Sequence, residues 1–151
     1  MPDGLLVRKT DADCIPGYQS LARSDDLSIA IIRNQIQYQT MVEAGVAQDR
    51  IHVFGTYANA AQAVQDGRVN AYASVARAHL GYLQNGRPDL ALVEVSPREK
   101  PPALGCFAFA SAATDLKNSV DRVLNQFFGG AGHLKLMSEF GFELDDINRI
   151  L

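Results

Sequence analysis

The sequence predicts an α/β fold with a mostly parallel sheet between two layers of helices. Segments of strand length alternate with segments of helix length from Ser28 to Val95. The run Ser28-Ile29-Ala30-Ile31-Ile32 is continuously apolar, which is typical of a strand buried on both faces. Glycines 45 and 67 stand where two of the helices should stop. Such alternation implies right-handed crossovers between parallel strands, with helices on both faces of the sheet.

The elements of this middle region follow the order β-α-β-α-β-α-β. The first helix ends at Gly45 and the second, rich in alanine, ends at Gly67. In the second helix Ala60, Ala63 and Val64 share one side, which predicts a buried face. The predicted strands span residues 28–32, 51–54, 69–73 and 90–95, and the predicted helices span 36–44, 57–66 and 76–84.

The two ends of the chain are organised differently from the middle. Leu5-Leu6-Val7 predicts one short strand, and the segment SPREKPP (96–102) predicts a connector or hinge. A second apolar strand is expected at 104–110. Thr114 or Ser111 is expected to cap a helix that reaches Phe127. Two more helices are expected, over 133–140 before Gly141 and over 143–151.

The composition indicates one globular domain and excludes several classes of protein. The 151 residues are 47% hydrophobic and 21% charged, with a net charge of -3, which argues against disorder and against a basic nucleic-acid surface. No apolar run approaches the roughly 20 residues that cross a membrane. The start, MPDGLLVRKTDAD, lacks the pattern of a signal peptide. Cys14 and Cys106 are too few for a disulfide scaffold; they form one bridge or serve as small apolar residues.

The sequence contains no motif of a known catalytic or metal centre. His52, His79 and His133 form no i,i+4 pair, and no cysteine or carboxylate completes a metal-ligand set. We expect His79 to be an ordinary surface or core residue and not a metal ligand. The run Gly129-Gly130-Ala131-Gly132 lies between helices, so we expect a turn there and not a phosphate loop. We therefore expect a protein without cofactor and without enzymatic activity.

Four segments of the chain carry a resemblance to a known family: GLLVRKTDAD (4–13), SIAIIRNQIQYQTMVEAGVAQDRIHVF (28–54), GRVNAYASVARAHLGYL (67–83) and PPALGCFAFASAATDLKNSVDRVLNQFFGGAGHLKLMSEFGFELDD (101–146). Together they resemble the type II periplasmic solute-binding proteins of family 3, the polar amino-acid and ectoine branch of ABC transporter components. The resemblance covers nearly the whole chain. The given sequence has no segment that corresponds to the first half of the family's lobe one.

The resemblance implies a division into lobes. Residues 1–27 would be a hinge strand and part of lobe one, and residues 28–95 a complete lobe two. Residues 96–110 would be a connector and return strand, and residues 111–151 the C-terminal helices of lobe one. It also implies a small polar solute as ligand, an ABC transporter permease as partner, and the periplasm as location.

By the same resemblance, five residues are candidates for ligand binding. Asn34 and Gln35 match the family's Gly-Thr at a helix N-terminus, where free N–H groups attract a carboxylate; the alternative is an asparagine helix cap. Ser74 ends a strand, where it would hydrogen-bond a ligand or cap the next helix, and Val75 replaces the family's aspartate. Arg33 and Arg77 stand near the same edge, either facing an anion or solvated.

Three functions remain open from the sequence. The first is a solute-binding protein, and the second is a sensor, interaction module or truncated remnant that binds no solute. The third is a dehydratase-like enzyme on the same fold, for which no acid–base residue lies at the predicted edge. Because half of lobe one has no counterpart, apolar faces should be exposed, and we expect a homo-oligomer that buries them.

Overall fold

The computed structural model describes residues 1–142, 144 and 147. The chain divides into two compact units, Met1–Ala103 and Leu104–Leu151. The helix expected over 143–151 lies almost entirely outside the described residues. Among the described helices, none is both long and apolar enough to cross a membrane.

The first unit is built on one five-stranded sheet with the strand order β3-β2-β4-β1-β5. Strands β2, β3 and β4 run parallel, and β1 runs antiparallel to both of its neighbours, β4 and β5. Four of the five strands therefore point the same way, which confirms the mostly parallel sheet. The strands are β1 (Asp3–Arg8), β2 (Ile29–Ile32), β3 (Ile51–Phe54), β4 (Ala71–Val75) and β5 (Leu90–Glu94).

Helices cover both faces of this sheet, which confirms the three-layer architecture. On one face, Tyr18, Leu21 and Met41 of α1 and α2 pack with Leu5 and other strand residues. On the other, the alanines of α3 pack with Leu6 and neighbouring strand residues. The helices of this unit are α1 (Tyr18–Arg23), α2 (Gln37–Ala44), α3 (Tyr57–Gln65) and α4 (Ala76–Leu83).

β1 belongs to the sheet of the first compact unit. Residues 1–27 were expected to form a hinge strand and part of lobe one, and in the structure β1 lies inside the sheet between β4 and β5. Leu5, Leu6 and Val7 are each fully buried, so consecutive residues contact the helices on opposite faces. This is the burial of an interior strand, and the compact unit that contains it runs from residue 1 to residue 103. The division into lobes stays a prediction.

In the part of the second unit that the structure describes, the two bounded helices are α5 (Thr114–Phe127) and α6 (Ala131–Glu139). The strand expected over residues 104–110 is absent from the structure. This segment forms no backbone ladder with the described residues, and Pro101 and Pro102 before it have no N–H to donate. The predicted caps of α5 are also wrong, because Ala113 occupies the N-cap position and no side chain caps the helix.

Candidate functional site

The candidate site residues gather at the edge of the sheet where the parallel strands end. β2 and β4 finish at this edge, while the antiparallel β1 begins there, with Asp3 opposite Val75 and Gly4 opposite Ser74. In open α/β sheets, ligands bind outside the carboxyl ends of the strands. The edge is therefore the place where the fold itself favours a binding site.

The loop from β2 to α2 presents Arg33, Asn34 and Gln35 to solvent. The Arg33 amide donates to the Phe54 carbonyl at 3.0 Å, and the Gln35 amide donates to the Ile32 carbonyl at 3.2 Å. Asn34 adopts the left-handed conformation, with φ of 64°, which asparagine tolerates better than most residues. These constraints hold a short, tightly turned loop directly before α2.

No side chain caps the N-terminus of α2, whose N-cap is Ile36. The alternative role of Asn34 as a helix cap is therefore wrong. Around the loop lies an open depression of about 620 Å³. It is lined by Ile31, Arg33, Asn34, Gln35, Ile36, Tyr38, Gln39 and Val53. The depression combines a guanidinium, three carboxamides and apolar surface, a set that suits a small polar or anionic molecule.

Ser74 and Arg77 do not line this depression. Ser74 is a buried residue within β4, and the N-cap of α4 is Val75, so Ser74 is not the helix cap. Arg77 is half-buried in α4. The structure thus brings Arg33, Asn34 and Gln35 together and leaves Ser74 and Arg77 elsewhere; the ligand-binding role of all five stays a prediction.

A buried polar cluster at the same edge was missed by the sequence analysis. Asp3 is only 6% exposed, and its two carboxylate oxygens accept hydrogen bonds from the Tyr18 hydroxyl at 2.7 Å and from Gln37 Nε2 at 3.1 Å. Burial, and then the negative charge of Asp3, raise the pKa of Tyr18 well above its usual value. The cluster fixes α1 and the first residue of α2 to the start of β1, and so it supports the β2–α2 loop.

A second buried cluster surrounds His79 on the other face of the sheet. His79 Nε2 lies 3.2 Å from the Gly4 carbonyl oxygen, and Nδ1 lies 2.6 Å from the Tyr57 hydroxyl. Because a carbonyl only accepts, Nε2 carries the proton and Nδ1 accepts from Tyr57. Burial lowers the pKa of His79 to about 4, so the ring is neutral near pH 7.

The aromatic neighbours of His79 show that it belongs to the core. The Tyr72 ring lies 5.1 Å from the His79 ring and 5.0 Å from the Tyr57 ring, in edge-to-face geometry. Burial raises the pKa of Tyr72 to about 12. His79 is therefore one of the core histidines that the sequence analysis allowed. Within the described part of the chain, no three histidine, cysteine or acidic side chains are placed to hold a metal ion.

Comparison with known proteins places this architecture among solved structures. A scan against protein-family models found no match, and a search of curated proteins found none. The structure of EhuB in complex with hydroxyectoine matches with a TM-score of 0.78 at 19% identity, over 98% of this chain and 58% of that chain. The substrate-binding protein of an amino acid ABC transporter matches with a TM-score of 0.69 at 14% identity, over 93% and 59%.

A third matched structure is an ancestor of an enzyme with the same fold. It is an ancestral amino acid-binding protein described as a precursor of cyclohexadienyl dehydratase, with a TM-score of 0.68 at 24% identity, over 91% of this chain and 56% of that chain. All three share the type II periplasmic-binding-protein fold, and this chain has that fold. It spans less than two thirds of the length of each of them.

Proposed function

We propose that this chain contributes to the binding of a small polar solute, amino acid or ectoine-like, as part of an ABC transporter's solute-binding component. The observation that supports the proposal most strongly is the match over 98% of the chain to a structure that binds hydroxyectoine. At the edge that such folds use for ligands, Arg33, Asn34 and Gln35 lie exposed around an open depression. A transporter permease as partner and the periplasm as location follow from the same proposal.

The chemistry of the loop supports a ligand with a carboxylate. The uncapped start of α2 leaves backbone N–H groups at the positive end of a helix dipole, and the Arg33 guanidinium beside it can form a bidentate pair with a carboxylate. The nearby Asp3 carboxylate is buried, and both of its oxygens accept hydrogen bonds within the protein. We propose that the first unit, through this loop, contacts the carboxylate of the solute.

A second candidate function is a sensor or interaction module that does not bind a solute. It is favoured by Val75, which ends β4 where the family resemblance implies an aspartate for the ligand ammonium. A dehydratase-like activity is a third candidate, supported only by the enzyme lineage among the matched structures.

We also propose that the chain forms a homo-oligomer, because large apolar side chains of its second unit are exposed.

Thermal unfolding with amino acids, ectoines and small organic acids tests the proposal. A solute at about 100 times its dissociation constant adds roughly 2.7 kcal/mol, or about 5 °C in the unfolding midpoint. Arg33→Ala should reduce the shift. The matched control is Arg68→Ala, an exposed arginine before the start of β4 at the opposite edge, which should leave the shift unchanged. The absence of a shift with every compound would favour the non-binding module.

A further inference from the structure

Residues 104–110 (LGCFAFA) are a strand-forming segment without a strand partner. Their side chains alternate, with Gly105, Phe107 and Phe109 on one face of an extended chain and Leu104, Cys106, Ala108 and Ala110 on the other. No backbone hydrogen bond joins residues 104–109 to any other described residue. Leu104 and Phe107 are each 68% exposed. Open backbone groups beside exposed apolar side chains are the features of an unpaired strand edge.

The segment is complementary to itself when two copies run antiparallel. With Phe107 of one copy opposite Phe107 of the other, Phe109 lies opposite Gly105, Leu104 opposite Ala110 and Cys106 opposite Ala108. Apart from the central pair, every large side chain thus faces a smaller one. No residue from 103 to 114 is charged, so the pairing brings no like charges together.

The rest of the second unit offers the apolar surface that such a ribbon needs. Two strands alone are marginally stable in water. In α5, Leu116, Val120 and Val123 recur at helical spacing, and Leu116 and Val123 are 58% and 63% exposed. No described residue of α5 is buried. The helix therefore has an apolar stripe available to cover an added layer.

The exposed apolar area of the second unit approaches what one partner buries in a stable dimer. Six side chains of this unit, each about half exposed or more, together expose on the order of 700 Å², taking ~200 Å² for a fully exposed large apolar side chain. They are Leu104, Phe107, Leu116, Val123, Phe128 and Phe140. Stable interfaces bury about 800 Å² per partner. Covering this surface in a second copy accounts for most of what a standard interface requires.

We infer that two copies of this chain pair through residues 104–110 as an antiparallel ribbon centred on Phe107, with the apolar stripe of α5 covering it. This rests on the proposed homo-oligomer and specifies its contact. The proposed pairing does not involve the β2–α2 loop. Solute binding and dimer formation are therefore separable, and either can fail without the other.

Disulfide trapping tests the register in a cysteine-free background, Cys14→Ser with Cys106→Ser. Residues directly opposite each other in an antiparallel pair have Cα atoms about 4.5–5.5 Å apart, within the range of a disulfide. Phe107→Cys should therefore form a covalent dimer under mild oxidation. Phe109→Cys should not, because its own counterpart lies four residues further along the ribbon, at about 13 Å. A mixture of Phe109→Cys and Gly105→Cys should cross-link where neither does alone.

In analytical ultracentrifugation at micromolar concentration, the unmodified chain should sediment as a dimer, with twice the 16.4 kDa mass of one copy. Phe107→Asp, which places two carboxylates opposite each other, should weaken association by at least tenfold. Circular dichroism would show that each variant keeps its helices. A monomer at all concentrations would overturn the inference. So would a dimer in which Phe109→Cys cross-links to itself as readily as Phe107→Cys.

Discussion

At the scale of single residues, His79 makes folding stability depend on pH. Its pKa is about 4 in the folded chain, against 6.5 for an unperturbed histidine. Below pH 6.5 the unfolded chain takes up a proton that the folded chain does not accept until about pH 4. The free energy of unfolding contributed by His79 is therefore complete above pH 6.5 and is lost as the pH falls toward 4.

We expect the free energy of unfolding to be lower at pH 5 than at pH 7 by on the order of 1–2 kcal/mol through this residue. Urea unfolding at both pH values measures the difference. His79→Gln should remove that part of the pH dependence while lowering stability at pH 7. His52→Gln is the control, because His52 is exposed and should change neither value. An unchanged pH dependence in His79→Gln would contradict the assignment.

Asp3 is the residue that holds two helices to the sheet at the candidate edge. Asp3→Ala leaves the buried Tyr18 hydroxyl and the Gln37 amide without their partner, and should lower the free energy of unfolding by about 1–3 kcal/mol. Tyr18→Phe removes only one of the two hydrogen bonds and should cost less. A double-mutant cycle from denaturant unfolding measures their coupling. Additive losses from Asp3→Ala and Tyr18→Phe would show that the pair does not interact.

At the scale of elements, the approach of α4 to β1 depends on Gly4. A Cβ added there would lie 2.6 Å from Leu92 Cδ1 and 2.8 Å from Ala76 Cα, and the second of these is backbone. We expect Gly4→Ala to lower the free energy of unfolding by about 1–3 kcal/mol. Gly81→Ala is the matched control within α4, where an added Cβ meets nothing within 4 Å. It should raise stability by about 0.5–1 kcal/mol, so two changes of the same kind should differ in sign.

The same scale shows which elements could be predicted from the sequence. The alternation from residue 28 to residue 95 predicted β2 to β5 and α2 to α4, because local periodicity and glycine stops determine such elements. The position of β1 within the sheet could not be predicted, because an apolar run as short as Leu5-Leu6-Val7 is compatible with both an edge strand and an interior strand. The strand at 104–110 has the right pattern but lacks a neighbour, and a strand needs one.

The candidate site was predictable only in part. Arg33, Asn34 and Gln35 follow directly after a recognisable strand, so their place at the edge could be predicted from local order. The Asp3–Tyr18–Gln37 cluster joins residues that are 15 and 34 positions apart, and only the folded chain brings them together. Asp3 precedes the apolar run of β1, but nothing in the sequence distinguishes it from a solvated aspartate.

At the scale of the whole molecule, the two units differ in what stabilises them. Among the described residues, the two buried core clusters lie entirely within residues 1–103. We therefore expect residues 1–103 alone to fold cooperatively, with a thermal midpoint within about 10 °C of the full chain. Circular dichroism and calorimetry of this fragment test the expectation, with Asp3→Ala in the fragment as a destabilised reference. A broad, non-cooperative transition would contradict it.

The interior position of β1 also determines when the sheet can be completed. Leu5 pairs with Ala73 on one side and with Val93 on the other, so the first of these five strands along the chain pairs only with the last two. Contacts between residues so distant in sequence slow folding, because the long intervening loops must close first. During synthesis the fully apolar Leu5-Leu6-Val7 has no partner strand until β4 has emerged, and its second edge stays unpaired until β5 has emerged. Nascent chains of this protein should therefore depend on chaperones over that interval, and refolding in vitro should lose yield as concentration rises.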